Sequence, residues 1–133
     1  MKRELPGLES LRNVSPLVEL HHLRLVRELV VASTRDEVTG YGRTDVRLVL
    51  ESESQRPNVR ATFEFEDCGA LKIDAGSYGV RIGCFAIEDV RDRQWDGVAW
   101  RVGDIEQDAV LAFHSRTARL VSVEALGSEA PPT

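Results

Sequence analysis

The side chains with the most chemical potential lie between Gly83 and His114. Carboxylates dominate there: Glu88, Asp89, Asp92, Asp96, Asp104, Glu106 and Asp108 stand against Arg91, Arg93 and Arg101. Asp104, Glu106 and Asp108 alternate, so in an extended segment they would share one side. Oxygens converging from a loop are what a hard cation such as Ca²⁺ needs. The EF-hand pattern is missing, however. The sixth position from Asp104 is Ala109, where glycine is required, and the twelfth is Ser115. Solvated turns and strand edges account for the run more simply than a metal does. Paired carboxylates also hydrolyse glycosides, but a chain of 133 residues without long cleft loops is a poor host for that reaction.

Other nucleophiles and ligands are scattered. His21 and His22 are adjacent, so on a strand they would face opposite ways and could not serve one metal. His114 follows Phe113, and no His/Cys spacing matches a zinc pattern. Cys84 reads as a small buried hydrophobe. A Cys84–His114 nucleophile pair would require a contact that spacing does not supply. Gly40-Tyr41-Gly42 and the glycines at 76 and 79 lack the lysine and the strand–helix setting of a phosphate loop. There is no nucleophile elbow. No cofactor, metal site or catalytic residue is therefore expected.

Binding is the chemistry left. Trp95 lies in the charged stretch Arg93-Gln94-Trp95-Asp96. A tryptophan ringed by charge suits an interface anchor, or else a lid folded over a sheet edge. Trp95, Asp104, Glu106 and Asp108 are the candidate binding residues. They fall in successive turns at opposite ends of the strand around 98–102, which suggests a broad face and not a pocket.

The elements that must position them read as strands. Val59, Ala61, Phe63 and Phe65 alternate with polar residues, the clearest period-2 signal in the chain. Further alternations fall at 46–50, 71–73, 80–90, 98–102, 110–113 and 118–123. Asp67-Cys68-Gly69 reads as a tight turn, Gly83 as a bulge and Asp96-Gly97 as a hairpin turn. Residues 15–33 are the ambiguous stretch. Ser15-Pro16 resembles a helix start, yet the apolar residues that follow form no single stripe. A strand over 20–32 fits better; a helix over 15–33 would make the fold α+β. The expected architecture is all-β and mainly antiparallel. About eight strands form a meander closed into a sandwich or open barrel, with a short N-terminal helical turn. Residues 1–14 read as a lead-in, 126–133 as a flexible tail, and 1–133 as one domain.

Composition narrows the function. Net charge is −5 and the sequence pI about 5.2. That speaks against nucleic-acid binding, which needs clustered basic charge, and for a basic protein partner. No basic-then-apolar leader and no long apolar run is present, so the expectation is a cytoplasmic protein off the membrane with reduced Cys68 and Cys84.

Phe63–Phe65, Phe85-Ala86-Ile87-Glu88-Asp89, Trp95 and Val102-Gly103-Asp104-Ile105-Glu106 followed by Phe113 form a recognisable series. Over roughly residues 60–125 it resembles small bacterial β-rich families grouped with the immunity proteins of polymorphic toxin systems. The resemblance implies antiparallel β structure and a non-enzymatic module that neutralises a toxin, and it brings no catalytic residues. Two other readings stand beside it: a β-barrel that binds or converts a small ligand at its mouth, and a structural homo-oligomer joined through strand edges.

Overall fold

The alternation at Val59–Phe65 does form the central strand. In a computed structural model, which describes residues 4–35, 37–40, 42–74, 81–91, 98–104 and 110–126, six strands follow one short helix. The helix α1 spans Leu8–Val14 and a 3-10 turn spans Leu20–His22. The strands are β1 (Leu23–Arg35), β2 (Gly42–Ser52), β3 (Val59–Ile73), β4 (Phe85–Asp89), β5 (Trp100–Asp104) and β6 (Leu111–Ala125). They make one antiparallel sheet in the order β1-β2-β3-β6-β5-β4. The class is all-β as expected; of the expected strand over 20–32, residues 23–32 lie in β1, and Leu20–His22 form the 3-10 turn before it.

The count falls from about eight to six because two pairs of expected strands are each continuous. Asp67-Cys68-Gly69 is not a turn. It lies inside β3, where Asp67 and Ala70 take left-handed φ of 55° and 53°, and the ladder to β6 runs on through Cys68↔Ser115 and Gly69↔His114. Inward residues are odd-numbered up to Phe65. Glu66 and Asp67 are then both exposed, facing Thr117 and Arg116, which are exposed too. The alternation changes phase on both strands at one level, where the pair bends. A two-residue polar step mimics a strand end, but the hydrogen-bond ladder does not stop there.

The sheet is open, and it curls until its two ends nearly meet. Ile82 donates its amide N–H to the Arg24 carbonyl at 2.8 Å, and Arg81 bridges Leu25. So the stretch before β4 touches β1, and Ile82 is buried as a plug at that seam. The expected strand over 80–90 is reduced to Phe85–Asp89 among the described residues, with Gly83 at the junction and not in a bulge.

The concave side is filled by side chains. Phe63 lies edge-on to Phe85 at 5.6 Å between ring centres, and Phe65 edge-on to Phe113 at 5.0 Å. Trp100, Val102, Leu48 and Leu50 complete this core. Each buried ring or branched chain contributes about 2–3 kcal/mol.

The supposed lead-in is part of that core. Leu5 and Leu11 are buried, and Leu8 packs against them. Ser15-Pro16 ends the helix and does not start one: Ser15 is extended, as a residue before proline prefers. The Leu120 amide donates to the Pro6 carbonyl at 2.9 Å, so the backbone of β6 meets the chain just before α1. A Cβ on Gly7 would lie 2.2 Å from the Leu120 carbonyl oxygen, and Gly7 has φ +88°. Only glycine satisfies both conditions without strain.

Candidate functional site

Of the four expected binding residues, Trp95, Glu106 and Asp108 lie outside the described residues. Asp104 lies within them, and it is not on a solvated edge. Its relative exposure is 1%. One carboxylate oxygen accepts the Gly83 N–H at 2.7 Å and the other the Cys84 N–H at 3.1 Å. The other two members of the expected row, Glu106 and Asp108, lie outside the described residues, while Asp104 closes β5 and turns inward. There it satisfies two amides that precede β4 and leave the ladder. Buried amides need such acceptors, and an ionised one is the strongest available.

Asp89 shows the same economy. It is buried, and it accepts from the Arg91 amide (3.1 Å), Nε (3.0 Å) and Nη2 (2.8 Å). Two carboxylates of the acid-rich stretch are thus structural.

The histidines and cysteines do not assemble into a catalytic group. His21 and His22 sit in the 3-10 turn and not on a strand, with ring centres 4.2 Å apart. His22 Nδ1 accepts the Glu19 amide at 2.9 Å. Among the described residues no cluster of His, Cys, Asp and Glu could hold a metal. Cys84 immediately precedes β4 and His114 is on β6, with β5 between those strands. Two strand spacings of about 4.8 Å set them about 10 Å apart across the sheet, and the register, with Phe85 opposite Asp104 but His114 opposite Arg101, adds about 10 Å or more along it. The His114 ring instead lies over Gly69, where an added Cβ would come within 2.7 Å of Cε1. Burial, aided by the charge of Asp45, pushes the Cys68 thiol up to about 12, which removes it as a nucleophile at neutral pH.

The convex face of β1, β2, β3 and β6 carries a lattice of ion pairs. Arg119 meets Glu64 at 2.6 Å, Arg60 meets Glu51 at 2.7 Å, and Arg43 meets Asp45 at 2.9 Å. Arg81 pairs with Glu53 at the seam. Such pairs contribute little to stability one by one. They do neutralise this face, so it is not a one-signed acidic surface.

A different surface is both apolar and acidic. Between the α1 segment and β4 runs a groove of about 440 Å³. Leu8, Leu11, Val18 and Leu20 line one side, and Phe85, Ala86 and Ile87 of β4 the other. Among the described residues β4 pairs with β5 and no other strand, and Phe85, Ala86 and Ile87 bring its second side to the groove. Arg12, Glu19 and His21 stand at the rim. Arg12 bonds Glu4 at 2.8 Å, which raises the guanidinium above its ordinary pKa and lowers that of Glu4; the charges of Glu9 and Glu19 act on Arg12 in the same direction. Three glutamates therefore surround one arginine. Leu17, between Pro16 and Val18, is 84% exposed. Residues 1–14 read from sequence as a lead-in with a short helical turn, and residues 16–21 as part of the ambiguous stretch 15–33. The spacing of Leu5, Leu8 and Leu11 was the signal that this segment packs on something.

A family model described as Immunity protein PIM8 matches residues 9–119. Neither a curated protein nor a solved structure matches the chain significantly.

Proposed function

The chain belongs to the PIM8 immunity-protein family, and from that premise we propose that it is a non-enzymatic module that binds and neutralises a toxin protein in the cytoplasm of the cell that makes both. The family match, which runs from α1 into β6, is the observation that carries this reading. Two features support it. The thiols and histidines of the described residues are dispersed or structurally engaged, and the concave side of the sheet is filled by aromatic and aliphatic side chains. A small rigid sheet with a packed interior suits recognition by shape and charge.

The toxin surface it meets is basic in this proposal. Net charge is −5, and Trp95, Glu106 and Asp108 fall in the two connections that flank β5. Complementary charge makes association fast and salt-sensitive. The proposed contact residues are Trp95, Glu106 and Asp108; Asp104, buried at the end of β5 against the Gly83 and Cys84 amides, is not among them.

The test is co-expression with the toxin encoded beside this gene. Cells carrying both should grow, cells carrying the toxin alone should not, and the purified pair should bind with an association rate that falls as salt rises. Unrelieved toxicity together with no binding at low salt would end the immunity reading. Full protection by a Trp95→Ala/Glu106→Lys/Asp108→Lys variant would end its assignment to those residues.

A further inference from the structure

We propose that the groove between the α1 segment and the free edge of β4 is a docking site for an extended segment of the partner protein, one that presents an apolar side chain with Lys or Arg beside it. The proposal rests on the immunity-type reading above and gives it a second contact surface, on β4 and the N-terminal segment.

Four features of the groove select that occupant. Its walls are apolar, from Leu8, Val18 and Leu20 across to Phe85 and Ile87. Such a lining favours a desolvated side chain of similar character. One wall is also a sheet edge, because among the described residues β4 has a strand neighbour on one side only. Main-chain groups on such an edge are satisfied by a strand laid alongside, the β-augmentation mode of peptide capture.

The rim then sets the sign of the occupant. Of the groove's own lining, Arg12 and Glu19 carry opposite charge; Glu4, bonded to Arg12, and Glu9, three residues before Arg12 on α1, lie beside it, and all three glutamates are exposed. The excess is negative, so a basic residue beside the apolar one is attracted and an acidic one repelled. Finally, Leu17 stands almost fully in solvent at the groove's end, next to the lining residues Pro16 and Val18. An exposed leucine bordering an apolar groove enlarges the surface that an occupant can cover. A partner of opposite sign is also what the net charge of the whole chain calls for.

The experiment uses the full chain and two probes. The first is a synthetic heptapeptide alternating Arg with Val and Leu, compared with its Glu-for-Arg counterpart. Titration followed by amide chemical shifts should move residues 8–21 and 84–88 with the Arg peptide only. A Leu17→Asp/Glu9→Lys variant, altered only at exposed positions, should keep the fold by circular dichroism and bind the Arg peptide about tenfold more weakly. The second probe is the purified toxin, for which the same variant should lose about tenfold in affinity. Equal binding of both peptides, shifts elsewhere on the sheet, or unchanged toxin affinity in the variant would each overturn the proposal. A wild-type chain that binds the Arg peptide in the groove but no toxin keeps the site and sinks the immunity reading instead.

Discussion

Asp104 and Gly83 are held together by a 2.7 Å hydrogen bond from the Gly83 amide to the Asp104 carboxylate. The same carboxylate takes the Cys84 amide. One residue earlier, Ile82 is bonded to Arg24 of β1. Residues 82–84 are thus fastened to β1 on one side and to β5 on the other. They lead into β4, whose free edge borders the groove. The end of β5 therefore sets the position of that edge.

Replacing Asp104 should loosen this joint. Asp104→Ala leaves two amides without their carboxylate acceptor, at a cost of about 3 kcal/mol, and Asp104→Asn, which keeps one acceptor oxygen, should cost roughly half as much. Urea denaturation measures both. An Asp104→Ala midpoint equal to that of the wild type would show that the joint is held by something else.

Gly7→Ala is expected to be among the most damaging single-methyl additions. The new Cβ would collide with a backbone oxygen of Leu120, and the φ of +88° is strained for alanine. The expected loss is about 2 kcal/mol or more. Because the clash lies between α1 and β6, amide exchange should accelerate first in residues 5–14. Uniform acceleration across the sheet would contradict this.

Gly69 and His114 should be energetically coupled. Gly69→Ala crowds a side-chain ring that can move, so the cost should be modest, about 1 kcal/mol, and it should largely vanish in a His114→Ala background. A double-mutant cycle with no coupling would place the His114 ring elsewhere in solution.

Cys68 should be chemically quiet. With its thiol pushed up to about 12 from 9.0, the thiolate population at pH 8 falls by about 1,000-fold. In a Cys84→Ser variant, iodoacetamide should label the native chain at least 100-fold more slowly than the urea-unfolded chain at that pH. The same shift affects alkaline stability. Below pH 9 the thiol is protonated in both states and nothing is lost. Between about 9 and 12 only the unfolded chain releases its proton, so stability declines as pH rises through that window. Comparing wild type with Cys68→Ala from pH 8 to 11 isolates the effect, and equal slopes would refute it.

The class of the fold was legible because a period-2 pattern commits a segment to one buried face. Val59–Phe65 and Val46–Leu50 pair in the register that their alternation suggests, with Val46 opposite Phe65 and Leu48 opposite Phe63. Phe85, Trp100 and Phe113, each within one of the alternating stretches, lie in the core for the same reason. The strand count was not legible. Glu66-Asp67 and Arg116-Thr117 break the alternation where the β3–β6 pair bends, and a bend looks like an end when each strand is read without its partner.

The candidate site divides along the same line. Composition and local pattern determine that this is an acidic, β-rich chain, because charge and periodicity are properties of neighbouring residues. Only the tertiary structure decides which acids are surface and which are scaffold. Asp104 looks like any turn carboxylate until Gly83 and Cys84, twenty residues earlier, arrive with two amides to satisfy. Likewise, Leu8, Leu11 and Glu19 border a groove only because the curl of the sheet brings β4 beside them. Long-range pairing decides both, since a buried polar group or an apolar wall is defined by what lies against it and not by its place in the chain.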